Sequence, residues 1–260
     1  MKKIILKVIL GVCIVAVVGF TVAIVRELLI DRQSQSFYDD LAATANRRPE
    51  GTTSTGAGAD GQSGSDVSDE QDDEWQPFVD FEVLKELYPG IVGWILLDGT
   101  PINYPIMQHT NNDYFLTRLP DGTPHRNGSI FLDYRNESDF SDKSILIYGH
   151  ESRTEEMFAT LKNYRDQEFY DANPVIHLYT PEKDYKIAVF AGHLAHSQRD
   201  HPPMEFETDE EFLTYIEHIK SISLLTSDIE INADDRIVNL CTCAYDFNEA
   251  RLVIVGVLVE

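Results

Sequence analysis

Cys243 stands eight residues ahead of Arg251, within the segments Asn239-Leu240-Cys241-Thr242-Cys243-Ala244 and Glu249-Ala250-Arg251. The sequence predicts that the thiol ends one strand and the guanidinium opens the next. That pairing suits acyl transfer, because a thiolate is a strong nucleophile and a permanent cation can hold the oxyanion that develops on an attacked carbonyl. Arginine cannot serve as the base, since its guanidinium stays protonated. The proton must therefore be handled by another group. Of the eight histidines, His150 is the best candidate: it follows the apolar run Ile145-Leu146-Ile147-Tyr148-Gly149 and so emerges at a strand end. His193 and His196, which bracket the end of a long strand, compete with it. His109, His125 and His201 sit in polar, loop-like contexts. A lone histidine after a strand can equally be held by a backbone group.

The two late cysteines need separate readings. Side chains alternate along a strand, so Cys241 and Cys243 share one face while Leu240 and Thr242 share the other. Two buried structural thiols are the alternative to a nucleophile. A Cys-x-Cys pair without a further Cys or His pair nearby does not make a metal site. Two residues apart on one strand is also near the limit for a disulfide, so stability must come from an apolar core.

Positioning these groups requires a folded region from about Trp75 to Glu260. Strands are predicted at Ile91 to Leu97, Ile102 to Gln108, Ser129 to Asp133, Ser144 to Tyr148, Val175 to Tyr179, Tyr185 to Leu194, Arg236 to Cys241 and Arg251 to Leu258. Phe81, Leu84, Leu87 and Tyr88 have helical spacing and end at Pro89-Gly90. Phe212, Tyr215, Ile216 and Ile219 form a second apolar stripe, preceded by Thr208 and Glu211 at capping-box spacing. A shorter helix is expected around Glu155 to Leu161. A strand-rich domain that closes on itself leaves no exposed edges.

The N-terminal end is different in kind. From Val8 to Val25 no residue is charged, long enough for a helix across the hydrocarbon core of a membrane. Lys2, Lys3 and Lys7 precede it, which keeps the N-terminus cytoplasmic and sends the rest outside. A cleaved signal peptide is the rival reading, but its apolar core is typically about 7–15 residues and no small-residue cleavage pattern follows promptly here. Cys13 inside this segment reads as a small packing residue. Residues 1–32 are thus expected to form a transmembrane signal-anchor and residues 33–75 a flexible linker. Gly51 to Asp73 is dominated by Ser, Gly, Thr and Asp, a mixture that buries too little apolar surface to offset its ordering entropy. The acidic run at Asp69 to Glu74 reads as solvated charge rather than as a metal site. A formal net charge of −23 argues against nucleic-acid binding, since no basic stripe exists to neutralise phosphates.

Taken together, these residues resemble the sortases, cysteine transpeptidases of Gram-positive cell surfaces. The resemblance covers roughly Val79 to Glu260. It rests on the N-terminal anchor, the strand ending in Tyr148-Gly149-His150, the Thr242-Cys243 pair and Arg251 opening the last strand. Ile91-Val92-Gly93-Trp94-Ile95, Asn103-Tyr104-Pro105-Ile106-Met107-Gln108 and Asn111-Asn112-Asp113-Tyr114-Phe115-Leu116 are similar to class B members, as is the helix inserted between the penultimate long strands.

The resemblance implies a mainly β fold, a closed eight-stranded barrel with short inserted helices, over residues 76–260. It implies a catalytic trio of Cys243, His150 and Arg251, and a peptide groove lined by Asn112, Leu116 and Tyr148 with the Ala195 to Glu207 connection as one wall. It also implies the partners: surface proteins bearing a C-terminal sorting signal, and an amine of cell-wall precursor or pilin that releases the thioacyl-enzyme. No cofactor and no metal are expected. Of the acidic cluster Glu205, Glu207, Asp209, Glu210 and Glu211, the last three fall in the first turn of a capped helix, where negative charge is already favoured, so no metal site is expected there.

Two residues depart from the family pattern: Cys241 stands where many relatives carry Ser or another small residue, and Asn239 where a Thr is usual. Tyr148 and Leu116 could also be read as core residues. The rival functions are a thiol hydrolase that lets water finish the reaction, and a surface binding module whose thiols are structural.

Overall fold

The computed structural model describes residues 2–45, 79–152, 155–197, 199–244 and 246–260; within 2–45, the side chains of residues 2–9, 12, 27, 30 and 31 lie outside the described set. Among the described residues, eight strands close into a barrel: β1 (Ile91–Leu96), β2 (Asn103–Met107), β3 (Ile130–Leu132), β4 (Ser144–Tyr148), β5 (Val175–Tyr179), β6 (Asp184–His196), β7 (Ile237–Cys243) and β8 (Ala250–Val259). The strand order around the barrel is β1-β2-β3-β4-β7-β8-β6-β5, and β1 pairs with β5 to close it. The pairings β2–β3 and β4–β7 are parallel and the others antiparallel. The eight strands expected from the sequence are all present, with ends shifted by a residue or two.

Alternation decides what lies inside. On β7, Val238 and Leu240 join Ile95, Ile106, Ile145, Ile147, Leu178, Val189 and Ile254 in the largest apolar cluster, which fills the barrel. Ile237 and Cys241 point the other way, into a second layer with Phe212, Ile216 and Ile219. Those three belong to α5 (Asp209–Ser221), whose N-cap Thr208 accepts a hydrogen bond from the Glu211 amide. The outer face of β6, β8 and β7 is therefore covered at one end by α5.

The remaining helices are short. α2 (Phe81–Leu87) is capped by Asp80, α3 (Asp113–Leu116) is one turn long, and a 3-10 helix over Ala159–Arg165 runs into α4 (Gln167–Ala172). The helix expected at Glu155 to Leu161 lies four residues later in the chain. Glu155 and Met157 adopt positive φ, outside the right-handed helical region, and Met157 bridges to Glu151, so no helical turn starts at these residues.

α1 spans Lys2–Ala45, passing Arg32 into the stretch where the sequence places the start of the linker. The cause is a stripe at helical spacing: Ser34, Tyr38, Leu41 and Ala45 are buried. The Tyr38 hydroxyl donates to Gly128 O at 3.0 Å and its ring stands edge-on to Tyr104 at 5.0 Å. Leu41 and Ala45 pack with Phe81, Trp94 and Met107. The rest of the expected linker, residues 46–75, lies outside the described residues. Among the described residues no helix is both long and apolar enough to cross a membrane.

Candidate active site

A cleft of about 250 Å³ opens on the outer face of β4, β7 and β8. It takes in all six residues expected from the sequence: Cys243, His150, Arg251, Asn112, Leu116 and Tyr148. The strand registers explain how. β7 and β8 pair antiparallel with Cys243 directly opposite Arg251. β4 and β7 pair parallel with Tyr148 beside Cys241, and the ladder continues with Gly149 N donating to Cys241 O at 3.1 Å. His150 is two residues beyond Tyr148 as Cys243 is two beyond Cys241, so the two chain ends leave the sheet side by side.

Gly149 has a steric reason. A Cβ there would overlap Ile130 Cδ1 and come within 2.6 Å of Phe158 Cδ2, so only glycine lets the chain pass between them on the way to His150. Beyond it, the imidazole of His150 is held by α3: its Nε2 lies 2.8 Å from Leu116 O. A carbonyl only accepts, so Nε2 carries the proton in this contact. Arg251 is half-buried and donates to Ala250 O at 3.0 Å.

The two thiols differ sharply in environment. Cys241 is buried and its pKa is pushed up to about 12 by burial, which outweighs the nearby Arg251 cation; Asp133 pushes in the same upward direction. It is a packing residue in the layer beneath α5. Cys243 is only partly buried and faces the cleft. Neither thiol is in a disulfide.

The opposite wall is built around a buried carboxylate that the sequence reading did not single out. Asp133, fully buried after β3, receives Arg135 Nε at 2.9 Å and Nη2 at 2.8 Å, Asn112 Nδ2 at 3.0 Å and the Tyr148 hydroxyl at 3.1 Å. Burial alone would raise its pKa, but the hydrogen bonds from Arg135 and Asn112 outweigh that and bring it down to about 2. Burial in turn pushes the Tyr148 phenol well above its usual range. Tyr148 also lies 2.9 Å from His201 Nε2, so the connection between β6 and α5 leans on it. Ser197 and His201 of that connection line the cleft, as the expected wall from Ala195 to Glu207 requires. The Pro-rich setting of His201 marks it as a loop residue; its contact with Tyr148 spans 53 positions, which no local pattern reveals.

His193 and His196, the competitors for the histidine role, do not reach the Cys243 cleft, although His196 lines an adjoining hollow with Tyr148, Cys241 and Arg251. His193 is buried at β6 beside Leu194, Asp200, Tyr215 and His218, and His196 stacks on Phe247 at 6.3 Å. Neither lines the cleft that holds Cys243. Among the described residues no group of three or more His, Cys, Asp or Glu side chains is arranged to hold a metal ion.

A closed barrel of this strand order, carrying thiol, imidazole and guanidinium at one cleft, defines a cysteine transpeptidase of the sortase type. No family model matches the chain. Individual proteins do. It is 32% identical over 235 residues to sortase B of Listeria monocytogenes, covering 90% of this chain and 88% of that one. Its fold matches the Staphylococcus aureus sortase B–substrate complex with a TM-score of 0.66 at 32% identity, over 69% of this chain and 84% of that one. A sortase B complexed with triglycine matches with the same TM-score and identity, over 69% of this chain and 85% of that one. The chain belongs to the sortase B family.

Proposed function

We propose that Cys243 is the nucleophile, His150 the proton carrier and Arg251 the oxyanion-holding cation of a reaction that joins a sorting-signal peptide to an amine. What carries this reading is the pairing of Cys243 with Arg251 across β7 and β8, at the mouth of a cleft that also receives His150. In the first half, the Cys243 thiolate attacks the carbonyl of the residue before the scissile bond. The carbonyl oxygen gathers negative charge within reach of the Arg251 guanidinium. The C–N bond then breaks as the His150 imidazolium gives its proton to the departing amine, leaving a thioester on Cys243. In the second half an incoming amine attacks the thioester, His150 takes the proton it sheds, and the thiolate is released. Since Nε2 of His150 is engaged with Leu116 O, Nδ1 is the nitrogen that exchanges these protons.

Asn112, Leu116 and Tyr148 would hold the peptide. The sortase B complexes with substrate and with triglycine among the structural neighbours support a peptide donor and an amine acceptor of this kind. The donor would be a surface protein with a C-terminal sorting signal, the acceptor an amine of cell-wall precursor or pilin.

The site would work outside the membrane, tethered by residues 8–25. Along this part of α1, Leu10, Ile14, Val15, Val17, Val18, Phe20, Val22, Ile24 and Val25 are all exposed, an apolar helix surface that no part of the barrel covers. Lipid is the solvent such a surface calls for. The flanking Lys2, Lys3 and Lys7 support a cytoplasmic N-terminus.

The test is incubation of the full chain in detergent with a pool of pentapeptides carrying threonine before the scissile bond, with and without triglycine. An amide product that requires Cys243 supports transfer. Free acid alone, unchanged by triglycine, supports a hydrolase instead. No turnover and no adduct supports a binding module.

A further inference from the structure

We infer that Asp133 is a positioning residue for the peptide groove: its buried carboxylate sets the orientation of the Asn112 amide and the Tyr148 hydroxyl, and through Tyr148 the stance of the His201 loop. The inference rests on the groove proposed above. Asp133 is 0% exposed, so it touches no substrate itself. Its partners come from separate parts of the chain: Asn112 at the start of α3, Tyr148 at the end of β4, and Arg135 two residues on. Arg135 neutralises the charge, which is what allows an ionised carboxylate to stay inside.

The direction of each hydrogen bond follows from that ionisation. A carboxylate only accepts, so the Asn112 amide must turn its nitrogen toward Asp133; its oxygen then accepts from Tyr134 N at 3.0 Å. Asp133 and Tyr134 N together thus fix which end of the Asn112 amide faces which way. By the same rule Asp133 can only accept from the Tyr148 hydroxyl, which also lies 2.9 Å from His201 Nε2; His201 Nδ1 in turn lies 3.0 Å from Pro202 O. Asn112, Tyr148 and His201 all line the cleft. One buried anion thus fixes acceptor polarity toward Asn112 and Tyr148, both of which line the cleft. An amide at position 133 could satisfy the same volume while scrambling that polarity.

The experiment measures binding rather than chemistry. The full chain with Cys243→Ala is titrated with a pool of fluorescein-labelled pentapeptides carrying threonine at the fourth position, read by anisotropy, alone and with Asp133→Asn. The expected result is a Kd raised at least fivefold by Asp133→Asn. The same substitution added to Asn112→Ala/Tyr148→Phe should change Kd by less than twofold, because the groups it orients are gone. Unfolded protein lowers the number of binding sites and leaves Kd alone, so a purely structural role is read separately. Should Asp133→Asn fail to fold, Tyr148→Phe leaves Arg135 and Asn112 on the carboxylate and should raise Kd by itself. A Kd within twofold of the parent for a folded Asp133→Asn overturns the inference, as does an undiminished effect in the Asn112→Ala/Tyr148→Phe background. Failure of the Cys243 chemistry would show instead in the trapping and turnover assays, which this titration does not use.

Discussion

Gly128→Ala should weaken both the fold and the catalytic geometry, because this glycine lies under the segment that holds His150. Its φ is +54°, where a side chain costs about 1–2 kcal/mol. A Cβ built there would also overlap the carbonyl oxygens of Phe115 and Leu116 and lie 2.7 Å from the Leu116 carbonyl carbon. These are backbone atoms that cannot rotate aside, so overpacking adds about 1–3 kcal/mol. The total is roughly 2–5 kcal/mol, a large share of the 5–15 typical of a domain. For a domain of this size that corresponds to a melting temperature lowered by roughly 5–15 °C. The functional part is more specific. Leu116 O is the acceptor for His150 Nε2, so relief of the overlap by moving α3 displaces the imidazole. Thermal unfolding and steady-state transpeptidation well below the melting point should therefore both suffer, with kcat falling further than the folded fraction explains. A variant that melts within 2 °C of the parent at full kcat would refute the reasoning.

Stability should fall in acid in two windows. Burial holds the His193 imidazole down from 6.5 to about 4, with neighbouring His218 adding to the effect. Its contribution is complete above 6.5 and is lost as pH falls toward 4, because the unfolded chain binds the proton first; the loss is roughly 3 kcal/mol at most. Asp133, lowered from 3.8 to about 2, contributes above 3.8 and loses that contribution as pH falls toward 2. Urea unfolding between pH 7 and 4 should show the first window in the parent and a much flatter curve in His193→Gln; parallel curves would contradict it. With iodoacetamide at pH 7.5, peptide mapping should find Cys243 alkylated and Cys241 untouched until unfolding, since a thiol pushed up to about 12 holds roughly 10⁻⁴ or less of its thiolate at that pH. Comparable rates at the two sites would remove the distinction drawn between them. Arg165 grips Asp246 through two contacts of 2.8 and 2.6 Å, tying the turn between Cys243 and Arg251 to the 3-10 helix. Arg165→Ala should lower kcat several-fold with the melting temperature unchanged; an unaltered kcat would show the turn holds itself.

Much of this arrangement is legible in the sequence, for identifiable reasons. Short runs rich in Ile, Val, Leu and Tyr give away the strands, several of them buried on both faces, and the strand pleat sets Cys241 and Cys243 on a common face. The strand-end positions of His150, Cys243 and Arg251 follow directly. What stays hidden depends on contacts far apart in the chain. Asp133 looks like any acidic residue ending a strand until Asn112 and Tyr148 fold onto it. The packing of α1 past Arg32 is a different matter. Ser34, Tyr38, Leu41 and Ala45 recur at helical spacing, a signal that the Ser-, Gly- and Asp-rich composition further on obscures. The late start of the 3-10 helix at Ala159 came from positive φ at Glu155 and Met157, residue types that give no warning of it.

The central claim is that Cys243 carries the acyl group, and intact-protein mass spectrometry with fragment mapping tests it most directly. After brief acid quenching of the full chain mixed with threonine-containing pentapeptides, one acyl adduct should be found on Cys243. It should be abolished by Cys243→Ala and discharged by triglycine. An adduct on Cys241, or one that survives Cys243→Ala, would contradict the account.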